Sequence, residues 1–217
     1  MYKVIAEDLN QQVYESLRYM ILSGELVPDQ KLVQEELAQR LQVSRTPLLS
    51  AFAKLEREML LISIPRRGYY VRSVNLNELL QIYEIRLRLE PLGACEAASN
   101  VDEKEIRELM RKTEALNLLD DEKLNNQFRS YDYAFHSTIM QMSNNPFLEK
   151  MVSSFNLVTL GNLTGMLRNV RDSLAEHTVI LRSILTHDPE KAEQAMFKHV
   201  EVAKKRIEQY ILEKDCS

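Results

Sequence analysis

The sequence predicts a mainly α protein in two parts: a small N-terminal helical domain closed by one β-hairpin, then an all-α bundle. Three observations carry this. Residues 44–47, SRTP, separate a short apolar helix pattern from a longer one; residues 60–74 read as a hairpin; and from 75 onward apolar residues recur only at helical spacing.

In the first part, VQEELAQRL puts Leu37, Ala38 and Leu41 on one helix face. Beyond SRTP, Leu48, Phe52 and Leu55 repeat at helical spacing. Ser44 stands where an N-cap side chain accepts from free backbone N–H groups. Pro47 falls in the first turn, where a missing N–H costs nothing. Arg45 and Thr46 then project from the positive end of a helix, which attracts phosphate. A helix, a tight turn and a second helix with a polar leading edge make a helix-turn-helix, whose second helix enters a DNA major groove.

The next stretch sharpens this. LLISI (60–64) is apolar with β-branched residues, PRRG follows, and YYVRSV returns; Gly68 permits a turn conformation that other residues resist. Arg66 and Arg67 fall at the hairpin tip. A helix-turn-helix closed by a basic hairpin is a winged helix, with the wing placed to touch backbone or minor groove. The alternative is a small α+β packing unit with a solvated basic turn. On the DNA reading the contacts are Ser44, Arg45, Thr46, Lys54, Arg57, Arg66, Arg67 and Gly68, with double-stranded operator DNA as the partner.

Residues 10–74 resemble the winged-helix domain of the GntR family of bacterial transcription factors. The pieces that match are LSGELVPDQKL, EELAQRLQVSRTP, AKLEREMLL and PRRGYYV. Four positions depart from the family pattern. Asp29 stands where a Gly usually follows the proline, Leu49 and Ser50 replace a common Arg-Glu pair, and Met59 replaces a Gly near the end of the recognition helix.

Composition narrows the class. The chain has 217 residues, room for two small domains, expected here as 1–74 and 75–217. No apolar run approaches the roughly 20 residues of a membrane span, and no secretion signal is read at the N-terminus, so a cytoplasmic location is expected. Cys95 and Cys216 fit no metal or redox motif and are expected as reduced thiols. The net charge is −4; residues 1–74 carry ten Lys+Arg against nine Asp+Glu (+1), the remainder 18 against 23 (−5). That balance argues against a general polyanion binder and fits specific binding by a dimer at a defined site.

The second part opens with Asn75 and, three residues on, Glu78, the spacing of a capping box. Helical patterns then run over 76–98, 102–119, 121–143, 146–165, 167–186 and 189–213. Pro91 lies inside the first, where a kink or break is expected. Asp188 as N-cap with Pro189 at the first helical position marks the last start.

Three of the four histidines point inward. Asp132 and His136 share the stripe of Phe128, Phe135 and Ile139; His177 shares a face with Val170, Leu174, Leu181 and Ile184; His199 joins Ala192, Ala195, Met196 and Val202. His187 sits in the turn before Pro189 and is expected to be exposed. Four buried polar groups in an apolar bundle are costly unless they share a partner. One divalent transition metal would satisfy all four, and this donor set suits zinc first, with nickel, iron and manganese also accepted. The alternative is separate core histidines, each with its own hydrogen bond. Arg86 and Glu90 fall near the centre of the apolar arc of helix 76–98, with Arg88 opposite. They read either as a plain ion pair one turn apart or as an arginine gripping a ligand carboxylate.

The segments DYAFH, AEHTVILRSI and AMFKHV resemble the FCD ligand-binding domain of the FadR-type GntR subfamily, over roughly 76–213. In its metal-binding branch the ligands are an Asp and a His one turn apart and two later histidines, which implies Asp132, His136, His177 and His199. The YEIRLRLE segment resembles the family's first effector-domain helix, which implies Arg86 as an effector contact. The hypothesis is a homodimer that binds a palindromic operator, with DNA affinity modulated by a small carboxylate effector at the metal. The rival classes are a metal-dependent enzyme acting on a small carboxylate and a regulator whose metal is structural. For an enzyme the nearby acid or base candidates are Glu90 and Glu176, neither with motif support.

Overall fold

A computed structural model of the chain describes residues 6–154 and 169–215. They form two compact units that part between Ser73 and Val74. The first contains helices α1 (Ala6–Leu22), α2 (Gln34–Arg40) and α3 (Arg45–Arg57), and strands β1 (Lys31–Leu32), β2 (Leu61–Ile64) and β3 (Gly68–Val71). The helix-turn-helix and the hairpin stand where the sequence places them. Helix α1 and strand β1 come in addition, and β1 adds to the free edge of the hairpin, giving an antiparallel sheet of order β1-β3-β2. Ile62 faces Tyr70 and Lys31 faces the same tyrosine from the other side.

The core of this unit is the amphipathic pattern made solid. Leu17 of α1 and Leu48, Phe52 and Leu55 of α3 are fully buried, and Leu37 of α2 closes over them. Polar contacts fix α1 against α3: Tyr14 Oη donates to Glu58 at 2.7 Å, and Lys54 Nζ lies 3.6 Å from the centre of the Tyr14 ring. The turn between α2 and α3 is made by Gln42 in the left-handed conformation (φ 55°). Its N–H donates to Gln39 O and that of Val43 to Ala38 O, which satisfies the last carbonyls of α2.

One expectation fails here. Ser44 is the N-cap residue by conformation (φ −74°, ψ 168°), but its side chain makes no capping hydrogen bond. Its own motif removes one of the two usual targets. An N-cap oxygen reaches the N–H of the second or third helical residue, and the third is Pro47, which has none.

The second unit contains α4 (Leu76–Ser99), α5 (Glu103–Asn117), α6 (Asp121–Met142), α7 (Pro146–Ser154), α8 (Val170–Leu185) and α9 (Pro189–Asp215), with no strand among its described residues. The expected helices over 146–165 and 167–186 extend into residues outside those described. The capping box is complete: Glu78 N–H donates to Asn75 Oδ1 at 2.9 Å, and Asn75 N–H donates to Glu78 Oε2 at 3.1 Å. Asp188 caps α9 by accepting from Lys191 N–H.

Pro91 does not break α4, which runs as one helix of 24 residues. Proline removes only the bond to Leu87 O, and the same turn is held by the Arg86–Glu90 ion pair and by packing along α9. Two residues later, Gly93 lets α6 come close, because a Cβ there would overlap the end of Met140. Arg171 pins the start of α8 to the α5–α6 corner, donating to Asn117 O, Leu119 O and Asp121 Oδ1 at 2.8–3.0 Å.

Candidate metal centre and nucleic-acid interface

The inward histidines meet. His136 and His177 are fully buried, His199 is 5% exposed, and their ligand nitrogens all lie within 4.8 Å of one another. They come from α6, α8 and α9, so the group exists only in the folded bundle. Asp132, one turn before His136, points its Oδ1 into the same space, 3.5 Å from His177 Nε2 and 3.8 Å from His136 Nε2. His187 is exposed, in a left-handed turn (φ 53°), as expected.

The ring orientations are set from outside the cluster. His136 Nδ1 is 2.8 Å from Glu90 Oε2, and His199 Nδ1 is 2.7 Å from Glu176 Oε2. At His199 the carboxylate is a hydrogen-bond partner of Nδ1, the arrangement by which outer carboxylates orient metal-binding histidines, whereas His136 Nδ1 makes no hydrogen bond and Glu90 lies beside it only at ion-pair distance. His177 is fixed by aromatic packing: the Phe135 ring is stacked on it with centroids 3.8 Å apart, and Tyr131 lies at 5.6 Å. Tyr131 in turn shares a 2.5 Å hydrogen bond with Thr113. Burial pushes the Tyr131 phenol well above the usual range, so it stays neutral.

Ring nitrogens of His136, His177 and His199 and the Asp132 carboxylate face one another in an apolar interior, and each of these side chains can offer an electron pair. Such a group could hold a metal ion, and the donor chemistry fits a divalent transition metal. The residues present therefore fit a metal.

Arg86 and Glu90 border this centre. Arg86 is 3% exposed and Glu90 fully buried; Arg86 Nε donates to Glu90 Oε1 at 2.6 Å and Nη2 to Oε2 at 3.3 Å. Burial opposes the charge on Glu90, but Arg86 and then His136 outweigh it and hold the carboxyl far below the usual range. The same Arg86 Nη2 is 3.5 Å from His136 Nε2. The Arg86–Glu90 ion pair, one of the two readings of these residues, is present at the edge of the histidine cluster. Glu90 and Glu176, nominated from sequence only as acids or bases, are engaged with histidines.

In the first unit, Ser44, Arg45, Thr46 and Arg57 are exposed along one side of α3, together with Leu49 and Ser50. Arg45 pairs with Glu35 of α2 at 2.6 Å. Lys54 is half-buried and held by Tyr14 and by Gln11, at 3.1 Å. Arg66 (φ 64°) and Gly68 (φ 97°) make the hairpin tip, and Arg66 and Arg67 are both exposed there.

Comparison with known families decides the identity of both units. The model of bacterial regulatory proteins of the gntR family matches residues 9–71, and the FCD domain model matches residues 81–202. The chain is a GntR-family regulator with an FCD domain. It is 25% identical to the HTH-type transcriptional repressor RspR of Escherichia coli (strain K12) over 214 residues, covering 94% of this chain and 90% of that one. It is 29% identical to the HTH-type transcriptional regulator YcbG of Bacillus subtilis (strain 168), again over 214 residues, with 92% and 90% covered. The solved structure of E. coli McbR/YncC superposes with a TM-score of 0.77 at 23% identity, covering 97% of this chain and all of that one, and so shares the fold. These families and relatives are transcriptional regulators, not enzymes. No helix among the described residues is long and apolar enough to cross a membrane.

The GntR resemblance gains a physical reading at two of its departures. Asp29 and Met59, which stand where the family carries glycine, both adopt left-handed backbone, with φ 64° and 59°. The fold requires the conformation that glycine supplies freely, and this regulator enters it with side chains attached.

Proposed function

We propose that this GntR-family protein is a ligand-responsive, DNA-binding regulator, a homodimer on a palindromic operator. Its FCD domain binds a small carboxylate effector at a metal held by Asp132, His136, His177 and His199. The observation that carries this reading is the convergence of these four groups in a buried space. Zinc is the first candidate, with nickel, iron or manganese admitted by the same donors. The bound ion would supply Lewis-acid coordination positions for the effector carboxylate. Arg86, at the edge of the same space, is the candidate partner for that carboxylate, being a buried cation with planar N–H donors. Effector binding would shift the balance between protein states that differ in operator affinity, which requires the effector to bind those states unequally. DNA contacts fall to Ser44, Arg45, Thr46, Lys54 and Arg57 of the recognition helix and to Arg66, Arg67 and Gly68 of the wing.

The test is elemental analysis of full-length protein purified without chelator, beside an Asp132→Ala/His177→Ala variant. About one metal per chain in the wild type and none in the variant supports the centre, and the metal should also raise the melting temperature. No metal in either, even after reconstitution, removes the metal and leaves the DNA-binding reading to stand alone.

A further inference from the structure

We infer that the groove between α4 and α9 is the surface on which two copies of this chain pair, α4 of each lying over α9 of the other. This rests on the homodimer reading above and deepens it by naming the face.

The groove has a volume of about 560 Å³ and is floored by Leu87 and Pro91 of α4, both buried. Arg88 and Leu92 line its α4 side, and Glu190, Glu193 and Phe197 its α9 side. Leu92 is 43% exposed and Phe197 38%. Ile85, 39% exposed, lies seven residues before Leu92, about two helical turns along the same face, so the apolar strip runs on past the groove. An open apolar strip rimmed by charge marks an interaction face, and one that follows a helix beyond a groove suits another helix better than a small molecule.

The charges at the rim identify the occupant. Arg88, Glu190 and Glu193 are all exposed, and among the described residues none of them makes an ion pair. Opposite charges therefore stand on opposite walls without meeting. A twofold axis through the groove brings them together: Arg88 of each copy meets Glu190 and Glu193 of the other, with Ile85, Leu92 and Phe197 packed between. A twofold contact uses the same patch on both subunits, so the patch must carry both signs, and this one does. A rim of a single sign would call for a different kind of partner.

The test is sedimentation equilibrium of full-length protein, and the wild type should be a dimer. Arg88→Glu should raise the dissociation constant about 100-fold, because like charges replace attractive pairs and the symmetry makes each substitution act twice. Glu190→Arg/Glu193→Arg should dissociate the dimer in the same way. Mixed one to one, the two variants should pair again, since in the mixed dimer both rims carry opposite charges; this recovery also shows that both are folded. Variants as dimeric as the wild type overturn the proposal and leave the homodimer reading in place. Variants that dissociate and do not recover on mixing overturn the pairing of these rims, and the proposal with it. A wild type that is monomeric even at high concentration removes the homodimer reading first and this face with it.

Discussion

Glu176 Oε2 accepts from His199 Nδ1 across 2.7 Å, linking the middle of α8 to the inward side of α9. The contact crosses between helices that each carry one inward histidine, so it both aims the His199 ring and ties the two helices together. Because Glu176 is half-buried, replacing it should leave the fold intact. Glu176→Gln is expected to weaken zinc binding by about tenfold, the lower end of the effect for an outer hydrogen-bond partner. Chelator competition on the purified protein measures this. Equal affinity in both proteins would mean that packing alone holds His199.

Much of this centre was legible in the sequence, and the part that was not has a clear physical origin. Residues on one helix face announce themselves by spacing, so Asp132 with His136, and the stripes bearing His177 and His199, could be read directly. The bundle's helix starts were also legible, because Asn75 with Glu78 and Asp188 with Pro189 are local chemistry. Glu90–His136 and Glu176–His199 join different helices, and no local pattern encodes which faces meet. Strand β1 has two residues, too few to show any alternation. The missing Ser44 cap was only partly legible in the letters SRTP, since Pro47 removes one of the two N–H groups an N-cap oxygen can reach while Thr46 keeps the other.

Met59 offers the clearest stability test. It follows the C-cap of α3 in a left-handed conformation, with its N–H donating to Glu56 O at 3.0 Å and Leu60 N–H donating to Leu55 O at 2.9 Å. This is the two-bond helix ending in which glycine is favoured. A side chain in that conformation costs about 1–2 kcal/mol, partly recovered because glycine has more unfolded-state freedom to lose. Met59→Gly should therefore stabilise the protein by about 0.5–1 kcal/mol in urea unfolding. Asp29→Gly should gain less, because Asp29 Oδ1 accepts from Ser73 Oγ at 2.6 Å. A Met59→Gly protein less stable than wild type would show that the methionine's packing outweighs its backbone strain.

Arg45, at the head of α3, is paired with Glu35. Both side chains are more than 60% exposed, so the pair is worth at most about 1 kcal/mol. A phosphate that takes Arg45 must displace that partner. Glu35→Gln should therefore tighten DNA binding by up to about fivefold at low salt, with a smaller gain as salt screens the pair. Arg45→Ala should weaken binding of the same duplex, one selected by the protein from a random library and followed by fluorescence anisotropy. Normal binding by Arg45→Ala would refute the assignment of α3 as the reading helix.

Leu49 lies one turn after Arg45, and at 40% exposure it places an apolar side chain on the outer face of α3 beside Ser50. A side chain of this kind has one specific complement in the major groove, the C5-methyl of thymine. Replacing single thymines of the selected duplex by deoxyuridine removes that methyl and nothing else. At one position the exchange should lower affinity by about three- to fourfold, the effect of one buried methyl near 0.8 kcal/mol. The same exchange should have no effect on Leu49→Ser, whereas Leu49→Arg should move the preference at that position toward guanine. If no thymine in the duplex responds to loss of its methyl, Leu49 does not read the base edges, and specificity must come from Arg45, Thr46 and the wing.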